Sequence, residues 1–138
     1  MSRPVDIEIP IDEILYRGLL SEWIDGEQVL PDAIDLEGTS VNRDKYNPDR
    51  MAVIKGPFVG VASVRICDFP APLDRHNAPA YRFEAFDCPE PGNQAHAEIR
   101  PVRQGLGWNE NHKIALGNKR LLKESLAAKM RVLALTTT

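Results

Sequence analysis

The sequence predicts an α+β fold: a mostly antiparallel sheet of four to five strands with a C-terminal amphipathic helix packed on it. Three observations carry that expectation. Several short segments alternate apolar and polar residues with period two and are bounded by proline or glycine. One C-terminal stretch repeats apolar residues at helical spacing. At 138 residues the chain can bury one core but not two, so residues 1–138 are read as a single domain.

The elements follow in order. Residues 5–9, Val-Asp-Ile-Glu-Ile, alternate and read as a strand ended by Pro10, which has no amide to give a ladder. Residues 14–20 form a second strand or a short helix, and periodicity alone does not choose. The stretch 25–47, rich in Gly, Asp, Asn and Pro, reads as loop with one helical turn after Pro31. Asn47-Pro48-Asp49 has the residues of a helix start, and Lys55-Gly56-Pro57 would stop that helix early. Residues 58–69 give the strongest strand signal, with a small, apolar middle that predicts cover on both faces.

Residues 70–79 hold three prolines and read as an exposed loop. Tyr81 to Phe86 alternates as the next strand, and a turn spans Cys88 to Asn93. Residues 94–102 form a further strand, with Ala95, Ala97 and Ile99 on one face and His96, Glu98 and Arg100 on the other. Finally Leu122, Leu126, Met130 and Leu133 recur at i, i+4, i+8 and i+11 behind Asn118, a fair N-cap, and predict the terminal helix.

Composition narrows the function classes. Hydrophobic residues at 43% and charged residues at 27% fit neither a disordered nor a collagen-like chain. No apolar run reaches the ~18–20 residues of a membrane span, and the first residues lack a secretory pattern. A cytoplasmic location is therefore expected, with no membrane partner. Residues 1–98 carry 9 Lys/Arg against 18 Asp/Glu, whereas residues 99–138 carry 8 against 2. The basic end either docks on its own acidic body, meets an acidic protein partner, or binds nucleic acid through Lys119, Arg120, Lys123, Lys129 and Arg131. Trp108 is the lone aromatic residue near them, which is poor for a base-stacking platform.

Several constellations could carry chemistry. Cys67, His76, Cys88 and His96 offer four zinc-type ligands, but separations of 9, 12 and 8 residues lack the short paired spacing of a zinc knuckle. No metal and no cofactor are therefore expected, and both cysteines read as small core residues. His96 and Glu98 share a strand face with Arg100, which reads first as a solvated face and alternatively as an acid–base pair. Arg17 sits inside an apolar run, so its guanidinium needs a carboxylate, an anion or several carbonyls. Phosphate-loop, dinucleotide and nucleophile-elbow motifs do not occur.

Tyr16-Arg17-Gly18, Gly38-Thr39-Ser40-Val41 and Glu98 together resemble the Arg, Ser-Thr-Ser and Glu elements of ADP-ribosyltransferases. That resemblance implies an arginine and a serine holding NAD and a glutamate steering ribosyl transfer. The chain departs from the pattern at Val41, and at His96, where the family's acidic pair would place a carboxylate. Leu15-Tyr16-Arg17, Thr39-Ser40-Val41, residues 60–63, Ala95-His96-Ala97 and Lys119 also resemble a set of small bacterial proteins of unassigned function. The expected role is binding or accessory, within a multi-protein system or by self-association. Arg17, Ser40, His96 and Glu98 are the candidate catalytic residues of the enzyme alternative, and Tyr16, Arg17, Ser40 and His96 the candidate ligand-binding ones.

Overall fold

The computed structural model describes residues 8–46, 57–71, 81–103 and 116–135. It is an α+β fold built on a six-stranded sheet. The strands are β1 (Ile14–Leu19), β4 (Thr39–Arg43), β5 (Gly60–Arg65), β6 (Tyr81–Asp87), β7 (His96–Arg103) and β8 (Arg131–Leu135). Their spatial order is β6-β7-β4-β1-β5-β8, and every neighbouring pair is antiparallel. A separate two-stranded ribbon joins β2 (Ile24–Asp25) to β3 (Gln28–Val29). One α-helix among the described residues, α1 (Leu116–Ala127), precedes β8. Among the described residues no helix is long and apolar enough to cross a membrane.

The strand count exceeds the expected four to five because two strands lie in segments whose local signal points elsewhere. The polar stretch 25–47 contains the end of β2, all of β3 and β4, and the expected turn, a 3-10 turn at Pro31–Ala33. Thr39 and Val41 are buried there, so burial rather than hydrophobicity makes β4 a strand. The terminal helix stops at Ala127, not beyond Leu133. Its end tightens through bonds from Lys129 N to Leu126 O and from Met130 N to Ala127 O. Arg131–Leu135 then pairs with β5, which is buried on both faces and would otherwise leave polar backbone groups unpaired. Asn118 lies within α1 rather than at its cap, and Leu133 belongs to β8.

Other boundaries move for similar reasons. The strand predicted over 58–69 is shorter, because the chain leaves the sheet into a 3-10 turn at Ile66–Asp68. Cys67 in that turn is exposed, which corrects its reading as a core residue; Cys88 is buried. Residues 8–10 are not a strand, although Ile9 joins the core. Residues 5–7, the helix start at Asn47 and the loop 72–79 lie outside the described residues.

The core forms on one face of the sheet. Leu15, Leu19, Val41, Ala62, Phe83 and Ile99 point toward Leu122, Leu126, Ala127 and Met130. Strand alternation sends Tyr16 and Val61 to the opposite face, where Ile14 and Leu133 pack against them. A buried ion cluster braces the core side. Arg43, 1% exposed, donates from Nε and Nη2 to both Glu13 oxygens at 2.7 and 2.9 Å, and from Nη1 to Asp87 at 2.9 Å. These charged bonds, chiefly those to Glu13, hold the guanidinium well above its ordinary pKa.

Candidate functional site

β6 and β7 form a tight hairpin, and that hairpin builds the site. Its tip is a two-residue connection in which Pro91 precedes Gly92 at φ 81°, a backbone conformation that favours glycine. Glu90 and Asn93 bond to one another across it. Asn93 also donates from Nδ2 to Asn42 Oδ1 at 3.0 Å, tying the tip to β4. Below the tip Cys88 N bonds to His96 O at 3.0 Å, so the two residues face each other across the hairpin. The eight-residue separation that argues against a zinc knuckle is the path around a hairpin turn. Topology, rather than local spacing, makes them neighbours.

Register then gathers the polar residues. Tyr16, Asn42 and His96 are successive partners across β1, β4 and β7, and Ser40 pairs with Glu98. All of these point away from the face that carries Val41, Ala97 and Ile99. His96 is 7% exposed and Glu98 6%, which corrects the expectation of a solvated strand face. His96 Nδ1 stands 2.7 Å from the Cys88 carbonyl and 3.4 Å from Glu90 Oε1. A carbonyl can only accept, so we assign the proton to Nδ1. His96 Nε2 is then an acceptor, 3.3 Å from the Ser40 hydroxyl.

Cys88 Sγ donates to Glu98 Oε2 at 3.6 Å. Burial first, and then the Glu98 carboxylate, push the thiol up to about 11, so it is protonated at neutral pH. Among the described residues no Lys or Arg forms an ion pair with Glu98. Gly38, at φ 147°, lies against the carboxylate: a Cβ there would overlap Glu98 Oε1. The Sγ of Cys88, a ring nitrogen of His96 and a carboxylate oxygen of Glu98 all lie within 4.8 Å of one another.

Comparison with known proteins gives no match. No family model, curated protein or solved structure aligns significantly with the chain.

The predicted residues divide between the two faces. Ser40, His96 and Glu98 come together with Cys88. Tyr16 shares their face but donates to Asp44 at 2.7 Å and lines a separate groove of about 1000 Å³ with Ile14, Ser63 and Leu133. Arg17 alternates with Leu15 and Leu19 on the core face. Its guanidinium donates to Ala33 O at 3.2 and 2.9 Å and to Ser40 O at 3.1 Å, and lies 4.9 Å from the centre of the Trp23 ring. Burial lowers its pKa, with Asp35 opposing. Of the partners that the sequence allows, carbonyls receive it. Arg17 is a brace between β1, β4 and the turn at Pro31–Ala33.

Of the basic residues proposed for nucleic acid, Lys119 and Arg120 are exposed on α1, Lys123 is half-buried, Lys129 lies in the turn and Arg131 on β8. Arg120 pairs with Glu124 at 3.0 Å. These residues do not form the single helical face that the sequence predicts. Cys88, outside the predicted site, joins it. The signal for it was Pro-Glu-Pro-Gly-Asn between two alternating strands, a hairpin that sets Cys88 opposite His96.

Proposed function

We propose that this chain is a binding domain whose ligand seats at Ser40, Cys88, His96 and Glu98, on the sheet face that α1 does not cover. The observation that carries this reading is the burial of His96 and Glu98 beside Cys88, with Glu98 lacking a basic partner among the described residues. A buried carboxylate whose printed partner is a weakly donating thiol is costly without a countercharge, so the site points to a ligand or ion that completes it. The NAD-transferase alternative draws no support here, because Arg17 is engaged on the opposite face from Glu98.

The test is a thermal-shift screen of nucleotides, NAD, short RNA and divalent cations. The wild type is compared with His96→Ala and Glu98→Gln. A ligand that binds the native state raises Tm by mass action, about 2.7 kcal/mol of stabilisation at a hundredfold excess over Kd. The expected outcome is a rise in the wild type that both variants lose. Equal shifts in all three proteins, or none in any, would overturn the assignment.

A further inference from the structure

We propose that Cys88, His96 and Glu98 form a binding site for a divalent transition-metal ion of the zinc class. This deepens the binding reading above and rests on it. Three kinds of side chain that zinc prefers meet at one place: His96 and Glu98 on β7, and Cys88 just past the end of β6, where its amide bonds to His96 O. The spacing between the sulfur and the carboxylate oxygen fits. With bonds of ~2.3 Å to sulfur and ~2.0 Å to oxygen at a tetrahedral angle, the two ligand atoms stand about 3.5 Å apart. Cys88 Sγ and Glu98 Oε2 are 3.6 Å apart.

The surroundings fit as well. The Cys88 carbonyl holds His96 Nδ1–H, the outer hydrogen bond that orients a metal-ligating imidazole and leaves Nε2 as donor. Gly38 leaves the space that the Glu98 carboxylate occupies. A thiolate and a carboxylate would neutralise a divalent charge, with the thiol proton released to solvent on binding. Three protein ligands leave a fourth position for water or a ligand donor. The Ser40 hydroxyl, 3.3 Å from Nε2, gives up that contact when the Nε2 lone pair turns to the ion. Soft sulfur in the set disfavours magnesium and calcium.

Cobalt(II) titration of the metal-free chain tests the assignment, with zinc competition giving the affinity. The expected result is one ion per chain, a sulfur-to-cobalt charge-transfer band and the visible bands of a four-coordinate ion. Cys88→Ser should abolish the charge-transfer band. His96→Gln and Glu98→Gln should each weaken zinc at least about 100-fold, beyond the ~10–100-fold of a merely supporting residue. Cys67→Ser should change nothing. X-ray absorption on the zinc-loaded wild type reads the ligands without any variant, and one sulfur with one imidazole is expected. A wild type that takes up no metal, a band that survives Cys88→Ser, or a ligand set without sulfur overturns the site. If metal fails but another ligand still raises Tm through His96 and Glu98, the metal assignment falls and the binding reading stands.

Discussion

Arg43 shows how much one side chain can hold. Its three charged bonds join the segment before β1, β4 and the end of β6, and it is 1% exposed. Substituting Arg43→Met leaves Glu13 and Asp87 desolvated without their partner, which should cost about 3–5 kcal/mol in urea unfolding. Cys88 makes a different prediction, for the metal-free chain. Its folded-state value, about 11, lies above the ordinary 9.0. Between those values the unfolded chain loses a proton that the folded chain keeps, so stability falls as pH rises through that window. Below about 9 both states hold the proton and the contribution is fully present. Unfolding measured from pH 8 to 11 should show this slope in the wild type and a shallower one in Cys88→Ala. Equal slopes would remove Cys88 from the pH response.

At the level of the element, α1 works as a cover. Leu122 and Leu126 are 1% and 0% exposed, and they seal the core face of the sheet together with Ala127 and Met130. Leu126→Ala should destabilise by about 2–5 kcal/mol, the range for a buried leucine whose cavity closes only in part. A loss below about 0.5 kcal/mol in chemical denaturation would mean that the helix is not seated there. The same residues show why periodicity overruns the helix boundary at Ala127. Met130 and Leu133 continue the helical period of Leu122 and Leu126, yet Val132 and Leu133 equally suit opposite faces of a strand. Local periodicity is degenerate at that point, and pairing with β5 decides it.

At the level of the whole molecule, the last strand closes one edge of the sheet. β5 is covered on both faces and flanked by β1 and β8, so removing β8 would strip partners from a buried backbone. Deleting residues 131–138 should abolish cooperative unfolding and promote association through the freed edge. Size-exclusion chromatography and a thermal melt report both effects. A monomeric, cooperatively melting truncation would show that β8 is dispensable. The sheet has a helix-covered face and a second face where Tyr16, Ser40, His96 and Glu98 stand. The site occupies that second face.

Much of the sheet was legible in the sequence. Alternation marks β6 and β7, small apolar residues mark β5 as covered on both faces, and Pro-Glu-Pro-Gly-Asn marks the hairpin turn. Alternation also placed His96 and Glu98 together, since a period of two belongs to the single strand. Tertiary structure decided what depends on partners distant in sequence. It made Thr39–Arg43 a strand despite its polarity, ended α1 where β5 needed pairing, and turned Arg17 to the core face while Ser40 and Glu98 face the other way. It buried the His96–Glu98 face and set Cys88 against Glu98. Residue pattern reports what each segment can bury; register and strand order determine which segments meet, and a site made from β4, β6 and β7 depends on that meeting.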